Sequence, residues 1–369
     1  MVVYLDCAAT TPLDPRVRAE VLRYLDDDFG NAGSRTHEYG RRARAAVESA
    51  RDRIAALTGS SRGDVVFTSG ATESNNLTIL GLAAQSQSRH IVTTRIEHHA
   101  VLEPVAELQR LGFTVTYVDP EPGGWVSSEA VTAALRPDTL LVSVMHVNNE
   151  TGVRQPIAEI AEALQDHPAY FHTDAAQGFG KDIESLTHPR LDLISISGHK
   201  IHAPKGVGAL ILRRRNGARP PIRPLFHGGG QERGLRPGTL PVHLIAGLGT
   251  AAEIANAEWK DRARQCRAYR IQLLEGLAPL HPVLHGDQSR VLPHIVNLSF
   301  PGIDAEALMD AWSELVAISD GAACTTQSRQ CSHVLGAMAL PEERMSGAVR
   351  LSWCHTSPLP DLPAMVAAA

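Results

Sequence analysis

Apolar residues follow two rhythms along the chain. Short runs rich in β-branched residues occur at 64–67, 90–94, 114–118, 140–144, 169–172, 193–196 and 207–211, and their length and composition predict strands. Between them lie longer stretches, at 76–85, 100–111, 128–135 and 157–164, in which apolar residues recur at helical spacing. Alternation of strand and helix predicts a mostly parallel sheet covered on both faces, because parallel neighbours need crossover segments that lie on the sheet. Such sheets bind ligands at the carboxyl ends of their strands, so candidate chemistry is sought just after each run.

The texture changes after Pro224. A Gly-rich stretch (Gly228-Gly229-Gly230, Gly234, Pro237-Gly238) leads into an amphipathic segment from about 241 to 277. This predicts a large α/β domain over 15–254 and a smaller α/β domain built from 1–14 and 255–369. The chain has 369 residues, which fits two domains at roughly 150 residues each.

Composition narrows the classes of function. With 43% apolar and 20% charged residues the chain reads as globular, and a net charge of -5 provides no global field to attract a polyanion. Direct binding of nucleic acid is therefore not expected. No run of about 18 apolar residues and no basic leader is present, so the reading is cytoplasmic and without a membrane partner. Five cysteines without a Cys-x-x-Cys pair argue against a disulfide framework or a cysteine-rich zinc site. Of these, Cys7, Cys266 and Cys354 sit in apolar or helical surroundings and read as structural.

Four segments carry candidate chemistry. Thr68-Ser69-Gly70-Ala71-Thr72-Glu73 follows a strand and opens a helix, where free amides and small residues make a phosphate cup or an ordinary capped turn. Asp174 and Lys200 follow consecutive strands. That pair suits pyridoxal phosphate, which needs a lysine for a Schiff base and a carboxylate to keep the ring nitrogen protonated; each residue alone reads as a cap or a surface group. His98, in Glu97-His98-His99, is placed to stack on such a ring and exchange protons, or is a histidine satisfied in the core. Cys324 lies in Ser319-Asp320-Gly321-Ala322-Ala323-Cys324-Thr325-Thr326, which lacks an apolar period and reads as an exposed loop with a reactive thiol. Gly247-Leu248-Gly249-Thr250-Ala251-Ala252 matches a dinucleotide fingerprint, but 242–255 reads as one continuous helix, so the match fails on context.

Taken together, these residues resemble the pyridoxal-phosphate-dependent cysteine desulfurases of the NifS/IscS family, within the fold type I aminotransferase superfamily. Similarity runs from Tyr4-Leu5-Asp6 through Ser69-Gly70-Ala71-Thr72-Glu73-Ser74, Met145-His146-Val147-Asn148-Asn149-Glu150 and Ser197-Gly198-His199-Lys200 to Arg236-Pro237-Gly238-Thr239-Leu240-Pro241. The resemblance implies a fold type I α/β architecture and pyridoxal 5'-phosphate, with no metal. It assigns Lys200 to the Schiff base, Asp174 to the ring nitrogen, Gln177 to the ring hydroxyl and His98 to stacking. Ala71, Thr72, Ser197, His199 and Asn149 would contact the cofactor, helped by Thr239 from the second subunit of a homodimer. Asn31, Asn149 and Arg350 would hold the substrate, and Cys324 would be the nucleophile. The implied reaction takes sulfur from L-cysteine, giving L-alanine and a persulfide on Cys324. An acceptor protein would receive that sulfur for iron-sulfur assembly or nucleic-acid modification.

The chain departs from the family pattern in places. Asn31-Ala32-Gly33-Ser34 stands where Asn-Pro-Ala-Ser is usual, and Leu351-Ser352-Trp353-Cys354-His355 where Phe-Ser-Leu-Gly-Arg often follows the arginine. With an end at Ala369, earlier than relatives whose tail docks a scaffold, these features make the desulfurases of DNA phosphorothioation (the Dnd system) a candidate subgroup. A selenocysteine lyase, an aminotransferase, or a catalytically idle protein that binds sulfur-transfer partners are the alternatives.

Overall fold

The computed structural model describes residues 2–320 and 332–369. Its central sheet has seven strands, in spatial order Val65–Thr68, Gly208–Leu212, Leu193–Ser197, Tyr170–Asp174, Thr139–Ser143, His90–Thr94 and Thr114–Val118. Each matches an expected run to within two residues. One strand departs from parallel order: Gly208–Leu212 is antiparallel to both neighbours. The connection over 198–207 is too short for a helical crossover, which takes a dozen residues or more, so the chain returns along the adjacent strand.

The inner strands are buried on both faces, Leu193–Ser197 and Thr139–Ser143 throughout, while Thr114–Val118 at the sheet edge is partly exposed. Helices Ala71–Ala83, His99–Arg110, Ser128–Ala133 and Ile157–Ala163 follow their strands as the periodicity predicts. Two further helices, Pro15–Asp26 and Glu38–Thr58, precede the sheet.

A second core lies around the C-terminal third. Ile295–Ser299 pairs antiparallel with Val349–Ser352 and Val283–Leu284, and the N-terminal Val3–Tyr4 pairs with Val316–Ala317. Leu5, Tyr269, Leu298, Trp312, Trp353 and Met365 pack there. The 36-residue helix Val242–Leu277 joins the two cores, burying Ile245, Leu248 and Ala252 in the first and Tyr269, Leu273 and Leu277 in the second.

Its Gly247-Leu248-Gly249 motif serves helix packing. A Cβ at Gly249 would lie 2.6 Å from the Ala50 Cα, and one at Gly247 would lie 2.6 Å from Val21. The Gly-rich link is itself pinned: the buried Glu232 carboxylate pairs with Arg51 and accepts the Phe67 amide at 2.7 Å.

Candidate active site

Parallel pairing sets Asp174 beside Ser195, so the neighbouring strand runs two residues further, to Ser197, at the same edge of the sheet. Beyond them opens a cavity of about 730 Å³ lined by Thr72, His98, Asp174, Gln177, Lys200 and Arg350 among others. Ala71, Asn149, Ser197 and His199 also face it. Thr239 and Asn31 are not in its lining; both are exposed, and the Asn31 side chain accepts the Gly33 amide at 2.8 Å. Cys324 lies outside the described residues.

At one end, helix Ala71–Ala83 begins at Gly70 with no side-chain cap, leaving its first amides and the exposed Ser69 and Thr72 free to meet an anion. Gly70 (φ 156°) is approached closely by the next strand: a Cβ at Gly208 would lie 2.6 Å from the Gly70 Cα. Glu73, in the same turn, accepts the Ser69 amide at 2.7 Å and pairs with Arg236 at 2.9 Å, so its charge is neutralised beside the cup.

At the sheet end, the Asp174 carboxylate accepts the Asn75 side-chain amide at 2.7 Å and the Ala176 backbone amide at 2.9 Å. Lys200 occupies the turn Gly198–Lys200 that follows its strand. Its ammonium donates to the carbonyls of Ala8 and Ala9, and Gln177 Nε2 donates to the same Ala8 carbonyl at 2.8 Å. The N-terminal segment thus closes one wall, held by the Ala8 amide on Ser352 Oγ (2.8 Å) and by Thr11 on the His199 carbonyl.

His98 caps helix His99–Arg110, its Nδ1 accepting the Ala100 amide at 3.0 Å. The proton of the neutral ring therefore sits on Nε2. Burial pushes this imidazole below its usual range, with Asp174 opposing and Lys200 assisting, so it is neutral at physiological pH. His199 is pushed down to about 4, mainly by burial and then by Lys200 and Lys205, and its Nδ1 meets Thr10 Oγ1 at 3.1 Å.

The donor and acceptor set fits pyridoxal phosphate and an amino-acid substrate. Two polar atoms on lining residues, Gln177 Oε1 and Arg350 Nε, are buried without a protein partner. The first is an acceptor for a ring hydroxyl, the second a donor for a carboxylate. Buried polar groups without partners are costly, so each is a candidate for a partner supplied by a ligand. The guanidinium of Arg350 is held from behind by Asp6 (2.8 Å) and the Asn149 carbonyl (3.0 Å).

Three acidic or amide side chains escaped the sequence reading. Asn75 lies one helical turn beyond Ala71, and that spacing alone was its signal. Glu97 is fully buried and pushed up to about 8 by that burial; it accepts from Thr94 Oγ1 and the Met145 amide. Glu150 is pushed up to about 7, mainly by burial, and accepts from Ser332 Oγ. The segment carrying Cys324 is bracketed at this site. On one side Ser319 pairs with Arg350 through both backbone bonds, and on the other Ser332 meets Glu150 while His333 Nε2 donates to the Glu97 carbonyl at 2.9 Å.

Residues 3–364 match the Aminotransferase class-V family. A cysteine desulfurase, IscS, of Vibrio cholerae serotype O1 is 45% identical over 356 residues, 95% of this chain and 87% of the relative. A solved NifS-like protein superposes with a TM-score of 0.91 at 36% identity, covering 100% of this chain and 98% of the other. The solved DndA from Streptomyces lividans superposes with a TM-score of 0.82 at 51% identity, covering 95% of this chain and 99% of the other. A cavity with a strand-end aspartate and lysine, a helix N-terminus and this similarity along almost the whole chain lead to one assignment: the chain belongs to the class-V aminotransferases, and within them to the pyridoxal-phosphate-dependent cysteine desulfurases of the NifS/IscS family.

Proposed function

We propose that Lys200 and Cys324 divide the work of taking sulfur from L-cysteine, Lys200 handling the proton and Cys324 the sulfur, with the product sulfur leaving on a protein thiol. The observation that carries this reading is the convergence of Asp174, Gln177, Lys200 and the uncapped helix at Gly70 on one cavity, with both ends of the Cys324 segment fastened to residues of its wall or its shell.

When bound, pyridoxal phosphate withdraws electrons from the substrate's α-carbon and so weakens its bonds. Lys200 would hold the cofactor covalently, and Asp174, fixed by Asn75, would keep the ring nitrogen charged. Ser69, Thr72 and the first amides of helix Ala71–Ala83 would bind the phosphate, with Ser197 and His199 beside them. Arg350, already anchored to Asp6 and Asn149, orients the substrate carboxylate through its unpartnered Nε. Once its amine is free, Lys200 would carry the α-proton. His98, neutral and carrying its proton on Nε2, offers a hydrogen to the ligand face and is spared the cost of a buried charge. Cys324 would act as thiolate, the nucleophilic form: its sulfur bonds the substrate sulfur as the substrate C–S bond breaks, the electron pair of that bond stays with the substrate carbon, and a proton taken up there completes alanine, leaving the persulfide on Cys324.

Thr239 and Asn31 are exposed and outside the lining, and we assign them to the partner's cavity in a homodimer. The acceptor is a protein thiol in the cytoplasm, because a persulfide passes by exchange at sulfur without phosphate contacts. Arg213, the first of the three consecutive arginines that could have begun a basic patch, is buried and spent on backbone carbonyls, and Arg215 bonds the carbonyls of His167 and Pro168. Among the described residues no helix is long and apolar enough to cross a membrane. Identity of 51% with DndA is in keeping with the Dnd-type subgroup that the sequence pattern suggests.

Turnover tests the assignment. Lys200→Ala should abolish alanine and sulfide formation and the borohydride-sensitive absorbance of the bound cofactor. Retention of either at near wild-type level would remove Lys200 from this role.

A further inference from the structure

A carboxylate sits in the turn that would receive the cofactor's phosphate. Glu73 is the third residue of helix Ala71–Ala83, and a negative group there competes with a bound anion for the positive end of the helix. Its Oε2 accepts the Ser69 amide at 2.7 Å, and Ser69 itself lines the cofactor cavity. Glu73 thus shapes the cup by fixing the backbone turn at Ser69, while its charge works against the ligand that the cup is proposed to bind.

Arg236 removes that conflict. Its Nε donates to Glu73 Oε1 at 2.9 Å, and a second guanidinium nitrogen reaches Oε2 at 3.4 Å. The Arg236 and Glu73 side chains are only 21% and 12% exposed, so solvent screens the pair weakly. The guanidinium also lies 5.8 Å from the centre of the Phe226 ring. Burial pushes the Glu73 carboxyl up, but its bonds to Arg236 and Ser69 outweigh burial and hold it below its usual range. The negative charge is therefore present at neutral pH, with Arg236 set against it. Neither side chain lines the cavity, so Arg236 reaches the ligand only through another residue.

A rival role for Arg236 is to hold the segment that carries Thr239, three residues further on, which we assign to the partner's cavity. That segment has other fastenings. Glu232 is bonded to Arg51 and to the Phe67 amide, and Gln231 Oε1 accepts the Gly238 amide at 3.0 Å, directly before Thr239. Gly238 adopts φ 116°, a conformation that favours glycine, so local backbone sets the approach to Thr239. Among the described residues, by contrast, Arg236 is the cation with which Glu73 pairs.

We infer that Arg236 is a positioning residue for the cofactor's phosphate that acts through Glu73: it cancels the carboxylate's charge, so that Glu73 fixes the Ser69 turn without repelling the phosphate. The inference rests on the proposed reading of the turn at Gly70 as the phosphate site. It assigns opposite signs to the two partners. Loss of Arg236 leaves a bare carboxylate behind the cup and loosens the cofactor, whereas loss of the Glu73 charge leaves a cation there and does not.

The test follows release of the cofactor from full-length holoenzyme after dilution, by decay of its visible absorbance, at low and high salt. Arg236→Gln should release it about tenfold faster than wild type, the effect of an unpaired charge at a partly buried helix terminus. Glu73→Gln keeps an acceptor for the Ser69 amide and should release it no faster than wild type. The double variant Glu73→Gln/Arg236→Gln should return to within about threefold of wild type, because the two changes are coupled through one contact. The Arg236→Gln defect should also shrink at high salt, as charge repulsion does and lost packing does not. Thr72→Val checks the premise separately: unaltered release there would place the phosphate elsewhere, and the inference would fall with it. Faster release in Thr72→Val but not in Arg236→Gln, or an Arg236→Gln defect undiminished in the double variant, would overturn the role of Arg236 alone.

Discussion

Asn75 donates its side-chain amide to Asp174 at 2.7 Å, and both are buried. The helix whose uncapped first turn we propose for the phosphate therefore also holds the acid we propose for the ring nitrogen.

Asn75→Ala leaves the Asp174 Oδ2 without this donor. Loss of a hydrogen bond to a buried charge should cost about 1.5–3 kcal/mol of stability. We expect a lower urea midpoint and a kcat that falls more than KM rises, because the substrate carboxylate is held elsewhere, by Arg350. An unchanged midpoint and unchanged kcat would show that Asp174 is positioned without Asn75.

Gly208→Ala adds a methyl group 2.6 Å from the Gly70 Cα. Both sides are backbone, so the strand and the cup must separate, at a cost of about 1–3 kcal/mol. The expected result is weaker cofactor retention on dialysis, measured by absorbance, with a smaller change in the cysteine KM of the reconstituted enzyme.

Acid should loosen the fold over a defined window. His172, His199 and His202 are each pushed down to about 4, mainly by burial, from an unfolded value of roughly 6.5. Between those values the unfolded chain binds more protons than the folded one. Stability from these groups is therefore full above about 6.5 and lost as pH falls toward 4. His172 bonds Ser143 and Ser195 at 2.8 and 2.9 Å, so His172→Gln keeps a polar partner there without a titrating group. Urea unfolding across that window should show a smaller acid loss in the variant than in the wild type.

Much of this was legible in sequence because the signals are local. Runs such as 90–94 and 193–196 carry their own strand signature, and Lys200 and Asp174 stand out by following two such runs. What was not legible depends on contacts between distant segments. Glu150 acquires its partner from Ser332, and Arg350 its anchors from Asp6 and Asn149. The antiparallel strand Gly208–Leu212 was readable in principle from its short connection, but apolar pattern alone carries no direction.

The central claim is that sulfur passes through Cys324, and mass analysis of the intact protein and its peptides after brief incubation with L-cysteine tests it most directly. We predict a gain of one sulfur atom on the Cys324 peptide, reversed by a reducing thiol, present in Cys331→Ser and absent in Cys324→Ser and Lys200→Ala. Added sulfur on the Cys331 peptide instead, or alanine formed at wild-type rate by Cys324→Ser, would contradict the account.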